Sequence, residues 1–223
     1  MSLAADMTLD EMRLALAPEI ALAAMFDGWS DAALEAAAHI AGIDADVARL
    51  AFPGGAMDQI DAWVASVDTA MMAEFADGRL ATMPIRERIR SLVWFRLEAI
   101  AGLEESLSRA MAIQTMPQNV AAAFRQGWSS ADRMWRLAGD TATDYNHYTK
   151  RAILAGIYGA TLAVWKDDTS EDKAQTRAFL DRRIEGVMKF EKAKARFLGG
   201  PGGSGREHFD VARFLGRLRY PQR

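Results

Sequence analysis

The chain has 223 residues, half of them hydrophobic, and no cysteine; the length suffices for a buried core in one domain or two small ones, and disulfides and thiolate metal sites are excluded. Residues 1–10 hold acids and no basic n-region, so a signal peptide is not expected, and the longest mostly apolar run, 14 residues from Ala152 to Trp165, is too short to span a bilayer. The net charge of −3 hides an asymmetry, because residues 1–80 carry 14 acids and three arginines, net −11, against +8 over residues 81–223; the N-terminal part should repel nucleic acid.

Helix formers dominate and no segment alternates with period two, so the chain reads as all-α with about ten helices. Pro18 suits the first position of a helix ending near Phe26, and Asp27-Gly28-Trp29 reads as a stop and turn. Ser30 or Asp31 caps a second helix through Leu34, Ala37 and Ile40 that stops at Ala41-Gly42. Asp44 caps a short third helix, Val47 to Phe52, ended by Pro53-Gly54-Gly55. A fourth follows from about Ala56 to Asp77.

Three short helices with a glycine turn between the second and third outline a helix-turn-helix. The wording of this part resembles the N-terminal module of TetR-type proteins, which would make residues 1–80 one module. Such repressors place hydroxyl or basic residues along the third helix and a Lys after the Phe-Pro turn. Here stand Asp44, Asp46, Ala48 and a lone Arg49, then Gly54-Gly55: a scaffold without phosphate-binding chemistry.

Residues 81–198 read as a second helical layer, over about Pro84 to Ala112, Asn119 to Gly139, Thr143 to Lys166 and Ser170 to Leu198. Ile85, Ile89, Leu92, Val93, Phe95 and Leu103 supply an apolar face, with Arg86, Arg88, Arg90 and Arg96 on its solvated or acid-paired side. Asp144 is a fair N-cap for the long apolar helix and Ser170 for the next. Along the apolar helix small residues recur every four positions, Ala152, Gly156, Ala160 and then Ala155, Gly159, Ala163. Such rows suit tight helix packing, a dimer seam or the close approach of an alkyl chain. Leu154, Tyr158, Leu162 and Trp165 form a wider face that either lines an apolar pocket or belongs to ordinary core.

Catalytic constellations are missing from the sequence. His39, His147 and His208 lie in three separate segments, and no Glu-x-x-His, Gly-x-Ser-x-Gly, P-loop or His-Glu-x-x-His motif occurs. Neither an enzyme nor a cofactor or metal site is therefore expected.

A Gly-rich tether, residues 199–205, leads into an Arg-rich segment, residues 206–223, with five arginines against two acids. Val211, Phe214, Leu215 and Leu218 form an i, i+3, i+4, i+7 stripe; Arg213 and Arg217 point the other way and Arg219 flanks it. This suits either a peripheral membrane-docking helix or one that folds back on its own protein. Each basic residue near an anionic leaflet contributes about 1 kcal/mol.

The run Asp144-Tyr145-Asn146-His147-Tyr148-Thr149-Lys150-Arg151-Ala152-Ile153-Leu154-Ala155-Gly156, with Asp168-Thr169-Ser170-Glu171-Asp172 and Phe179-Leu180-Asp181-Arg182-Arg183-Ile184, resembles the coenzyme Q biosynthesis accessory family that is ninth in the numbered eukaryotic series. Asp27-Gly28-Trp29-Ser30 and Leu50-Ala51-Phe52-Pro53-Gly54-Gly55 match its bacterial members. The resemblance implies a TetR-like fold without DNA binding, a homodimer through the C-terminal helices, and no catalysis. It implies an apolar pocket for an isoprenoid quinone intermediate or phospholipid, which would fall to Leu154, Tyr158, Leu162 and Trp165. It also implies a terminal helix on the membrane surface, here Val211, Phe214, Leu215, Leu218, Arg213, Arg217 and Arg219, and a quinone-ring hydroxylase as partner. The partner surface would hold Met134, Trp135, His147, Tyr148 and Arg151, with His147 where the family has Trp. The implied location is cytoplasmic, peripheral to the inner membrane. A TetR-type ligand-responsive regulator and a stand-alone hydroxylase are the competing readings; the acidic N-terminal part argues against the first and the missing ligand motifs against the second.

Overall fold

The computed structural model describes residues 7–143 and 145–198. Among them are nine α-helices: α1 Leu9–Asp27, α2 Asp31–Ala41, α3 Ala45–Ala51, α4 Ala56–Glu74, α5 Ile85–Glu98, α6 Glu104–Gln114, α7 Val120–Leu137, α8 Tyr145–Asp167 and α9 Ala174–Leu198. Short 3-10 turns stand at Arg79–Thr82 and Glu171–Lys173. No described residue is in a strand. The cap expected at Asp144, the tether at 199–205 and the terminal segment with Val211, Phe214, Leu215, Leu218, Arg213, Arg217 and Arg219 lie outside the described residues.

Residues 1–184 form one compact unit and 185–223 a second, of which the described part is the end of α9, with Lys189 Nζ 3.7 Å from Glu185. Within the first unit, α1 packs on α2, α3, α4 and α6, α4 on α5, α6 and α7, and α8 on α5, α6 and α7. The module expected over residues 1–80 and the helices that follow it thus share one unit. Trp29, at the α1–α2 corner, shows how. Its ring lies 5.2 Å from that of Trp63 on α4, and its Nε1–H donates to the Ser106 carbonyl on α6 at 3.0 Å. The Ser106 hydroxyl in turn donates to the Ala21 carbonyl on α1 at 2.6 Å.

Local chemistry explains where the helices begin and end. Ser30 caps α2, accepting from the Ala33 N–H at 3.3 Å, and Asp44 caps α3, accepting from Asp46 and Val47 at 2.9 and 3.3 Å. Gly42 ends α2 at φ 67°, where only glycine is unstrained. Pro18, however, does not start α1. A capping box starts it nine residues earlier, with Thr8 Oγ1 accepting from Glu11 N at 3.3 Å and the Glu11 carboxylate accepting from Thr8 N at 2.8 Å. Pro18 sits inside the helix with its ring exposed.

The helix expected over residues 84–112 is two helices. The chain breaks between Ala99 and Leu103, where Gly102 adopts φ 81° and buried Ile100 turns into the core. The expected faces of α5 shift accordingly. Ile85 is exposed, and Arg96, expected on the solvated or acid-paired side, is buried and acid-paired. Arg88 donates to three main-chain carbonyls, of Met83 at 2.8 Å, Ala81 at 2.9 Å and Ala138 at 2.7 Å, fastening the start of α5 to the end of α7.

Ser170 caps α9 as expected, its Oγ accepting from the Gln175 N–H at 3.1 Å, and Asp168 shares the role. The buried Asp168 carboxylate accepts from Ser170 N at 2.9 Å, Ser170 Oγ at 2.5 Å, Thr176 N at 2.8 Å and Thr176 Oγ1 at 2.6 Å. Burial raises its pKa, and these bonds outweigh that, holding it well below the ordinary carboxylate range. A folded-state pKa below the unfolded value of about 3.9 gives stability that is fully present above that value and fades as pH falls. Asp168→Ala should therefore cost about 2 kcal/mol in urea unfolding at pH 7. The gap to wild type should narrow at pH 3, and an equal gap at both pH values would refute this role.

Candidate functional site

A cavity of about 420 Å³ lies among α4, α5, α6, α7 and α8, within the range of small-molecule sites. Ile60, Trp63 and Val67 of α4 and Leu107, Ala110 and Met111 of α6 form apolar walls. Small residues make up most of the α8 wall, Ala152, Ala155, Gly156 and Gly159, with Tyr158 and Leu162 beside them; Gly156 and Gly159 are exposed. A Cβ placed on either glycine would meet nothing within 4 Å. These glycines are thus not held by tight packing inside the chain; they border open space.

Of the four residues expected in the pocket, Tyr158 and Leu162 line it, whereas Leu154 and Trp165 do not. Leu154 is buried in the core, and Trp165 packs edge-on against Trp94, ring centroids 5.7 Å apart, beneath the Lys173 ammonium at 4.7 Å. The cavity side of α8 is turned roughly a quarter turn from the bulky stripe toward the small-residue rows. Size, rather than hydrophobicity, marks the cavity face of α8.

One wall is polar. Asp68 of α4, fully buried, pairs with Arg96 of α5 and Arg133 of α7. Arg96 Nη2 also donates to Ser130 Oγ at 3.2 Å, and Ser130 Oγ donates to Asp68 at 3.4 Å. The Arg96 guanidinium lies 4.8 Å from the Tyr158 ring centroid. Arg96, Ser130 and Tyr158 all line the cavity. Toward α6, Gln114 donates to Gln126 at 2.5 Å, and Gln126 to Asp61 at 3.2 Å. Sequence reading missed Asp68 and Ser130, since a buried acid on a helix carries no periodic signal until its bases are located.

Beside the cavity an aromatic strip runs from α7 onto α8. Phe124, which lines the cavity, lies 6.2 Å from Trp128; Trp128 lies 6.1 Å from Tyr148, and Tyr148 packs on His147 at 5.1 Å. Phe124 is 65% exposed and Tyr148 61%. The spacing of Val120, Phe124 and Trp128, every fourth residue, was the available sequence signal for this strip. Of the residues expected on a partner surface, His147 and Tyr148 belong to this aromatic strip. Met134 and Arg151 are corrected to interior positions, and half-buried Trp135 donates its Nε1–H to the Lys150 carbonyl at 3.0 Å.

Arg151 is interior because it clamps two helices together. It donates to Asp132 of α7 at 2.6 Å, to Asp140 at 3.0 Å and to the His147 carbonyl at 3.1 Å, while Lys150 reaches Asp140 at 2.6 Å. Burial raises the Asp140 pKa, and the bonds from Lys150 and Arg151 overcome it and keep the group ionised below its usual range. The clamp fixes the end of α7 against the start of α8, and so frames the cavity between them.

The helix-turn-helix region has its cations already engaged. Arg49 on α3 is bound by Glu35 and Asp46, and the Gly54 N–H, beside the start of α4, donates to the Asp58 carboxylate at 2.6 Å. A phosphate approaching this turn would meet a carboxylate. Among the described residues no three His, Cys, Asp or Glu converge to hold a metal ion, and no helix is long and apolar enough to cross a membrane.

Residues 120–191, which include α7 and α8, match the COQ9 family model. The chain is 42% identical over 100 residues to "Ubiquinone biosynthesis protein COQ9, mitochondrial" of Rattus norvegicus, covering 45% of this chain and 32% of that protein. It is 38% identical over 100 residues to the Homo sapiens protein of the same name, covering 45% and 31%. To "Ubiquinone biosynthesis protein coq9, mitochondrial" of Schizosaccharomyces pombe it is 29% identical over 141 residues, covering 63% and 56%. The match spans about a third of the length of the mammalian relatives. Among solved structures, the TetR transcriptional regulator from Nitrosomonas europaea ATCC 19718 aligns with a TM-score of 0.62 at 23% identity, covering 78% of this chain and 96% of that one. The fold is TetR-like.

The cavity makes a direct prediction. Gly156→Leu places a side chain into open space and improves helix propensity by about 1 kcal/mol, so the melting temperature should hold or rise. Binding of the apolar fluorophore 1-aminoanthracene should fall at least about ten-fold, the 1.4 kcal/mol expected for a blocked site; undiminished binding would place the probe elsewhere.

Proposed function

We propose that this chain, which carries a COQ9 domain over residues 120–191, is a non-catalytic lipid-binding accessory protein of ubiquinone biosynthesis. It takes up an isoprenoid quinone lipid at the membrane and presents it to a ring-modifying hydroxylase. The observation that carries this reading is a coincidence of place: the cavity's small-residue wall on α8 and its α7 wall both fall inside the matched segment. An isoprenoid chain is slender and apolar, which suits a wall of glycine and alanine main chain. The aromatic strip of Phe124, Trp128 and Tyr148 adjoins the cavity and is the natural partner surface, since exposed aromatics anchor protein interfaces. Ala160 of α8 lies off the cavity lining and is exposed in the single chain, and that side of the helix suits a homodimer with a second copy.

Membrane contact is assigned to residues 206–223, whose arginines and apolar stripe match an interfacial segment. Docking of that kind is weak and reversible, as a carrier that must leave the bilayer requires, and it makes the protein peripheral to the inner membrane on its cytoplasmic side. The regulator reading is disfavoured by the engaged Arg49 and by the Asp58 carboxylate at the Gly54 turn.

Two measurements test the proposal. Native mass spectrometry of the purified chain should show a co-purifying isoprenoid or phospholipid, and delipidated protein should take up a short-chain ubiquinone; failure of both would reject the carrier. In liposome flotation with anionic vesicles, a chain ending at Leu198 should lose most of its binding, and unchanged flotation would remove residues 206–223 from the mechanism.

A further inference from the structure

Most polar side chains on the cavity lining are engaged within the protein. Arg96 donates to Asp68 and Ser130, Ser130 to Asp68, Gln114 to Gln126 and Gln126 to Asp61. The remaining nitrogen of Arg96, Nε, is enclosed by protein and out of reach of a guest. Trp63 and Tyr158 differ. Both line the cavity, at 5% and 8% exposure, and neither the Trp63 indole N–H nor the Tyr158 hydroxyl has a hydrogen-bond partner among the described residues. Neither atom is enclosed as Arg96 Nε is, so each keeps accessible surface. On lining side chains so deeply buried, the surface that remains is cavity surface. Gln114 adds an amide oxygen that accepts from no described residue.

We infer, on the lipid-carrier reading, that the Trp63 indole N–H and the Tyr158 hydroxyl receive the oxygens of a neutral, ring-bearing head group, while the apolar tail of the guest lies along the small residues of α8. The free polar groups decide the class of head group. An indole N–H only donates, a phenol hydroxyl donates or accepts, and an amide oxygen accepts. That set fits a quinone carbonyl or a ring hydroxyl. Arg96 is the one charged side chain on the described lining, and Asp68 already offsets its charge. A phosphate there would stand in an apolar site without a free cation, at a large desolvation cost. A guest with no oxygen would leave two buried donors unmet, so one that supplies acceptors gains relative to it. Both donors are also held in place before any guest arrives. The Tyr158 ring lies 4.8 Å from the Arg96 guanidinium, and the Trp63 ring 5.2 Å from that of Trp29. Trp63 and Tyr158 are thus specificity residues, while Arg96 positions Tyr158.

Calorimetric titration of the full chain compares decyl-1,4-benzoquinone, decylbenzene and decyl phosphate, which share one tail. Tyr158→Phe removes the hydroxyl and keeps the ring. It should bind decylbenzene as the wild type does, while its affinity for the quinone falls about three-fold or more. Trp63→Phe keeps an aromatic ring beside Trp29 without the N–H and should act in the same way, the two losses together reaching about ten-fold. If that variant does not fold, the nitrogen–proton resonance of the Trp63 indole in the wild-type chain replaces it, and should move further with the quinone than with decylbenzene. Decyl phosphate should bind more weakly than the quinone. A quinone affinity that holds relative to decylbenzene in Tyr158→Phe, a Trp63 N–H indifferent to the quinone oxygens by either measurement, or tighter binding of the phosphate would overturn the head-group contacts while leaving lipid binding standing. No binding of any of the three would overturn the carrier reading and the contacts with it.

Discussion

The charge of Asp68 constrains the whole helical unit. A carboxylate wholly removed from water must be matched by positive charge and hydrogen bonds in the right places, and breaking such a set typically costs about 3–5 kcal/mol. Its partners come from two other helices, Arg96 on α5 and Ser130 with Arg133 on α7. Sliding α4 by one turn against either neighbour would separate the groups, so the pairings fix the register of three helices. Hydrophobic burial alone would not, because Ala- and Leu-rich helices pack in several registers at similar energy. The cavity then follows as geometry: with α4, α5 and α7 fixed by charge and α8 clamped to α7 by Arg151, α8 turns Ala152, Ala155, Gly156 and Gly159, with Tyr158 and Leu162, toward the space between them.

This explains which parts of the molecule were legible in the sequence. Caps and stops depend on chemistry within four residues, so Ser30, Asp44, Gly42 and the Pro53-Gly54-Gly55 stop could be read directly. The capping box at Thr8 and Glu11 was equally local but was overshadowed by Pro18, which can sit inside a helix where its ring faces solvent. The break at residues 99–103 was hidden because Ala99, Ile100 and Ala101 are compatible with helix, and tertiary burial of Ile100 decides the outcome. Long-range ion pairs gave no sequence signal at all. Arg96 looked like its neighbours Arg86, Arg88 and Arg90, and only its position opposite Asp68 distinguishes it.

The pocket shows the same limit in another form. Tyr158 and Leu162 were found because bulky apolar residues stand out, and Leu154 and Trp165 were grouped with them for the same reason. A cavity, however, is bounded by what is missing as much as by what is present. The small-residue rows were visible in sequence, with tight packing, dimerisation and alkyl contact left as alternatives, and the open space next to Gly156 and Gly159 singles out those two as cavity boundary. In the N-terminal helices the fold was legible, whereas the carboxylates on Arg49 and at the Gly54 turn were not: the acidic count over residues 1–80 gives a net charge and no pairings.

The α8 wall has a thermodynamic character of its own. A surface built from side chains must freeze their rotamers when a guest arrives, and long ones lose up to about 1.5–2 kcal/mol each. Glycine and alanine have no rotamers to lose. The stretch formed by Ala152, Ala155, Gly156 and Gly159 would therefore have the same shape empty and full, and along it the ordering penalty of association would fall on a guest alone. Any selectivity such a surface exerts is of the rigid kind: a thin group fits against it, and it does not adapt to a thicker one.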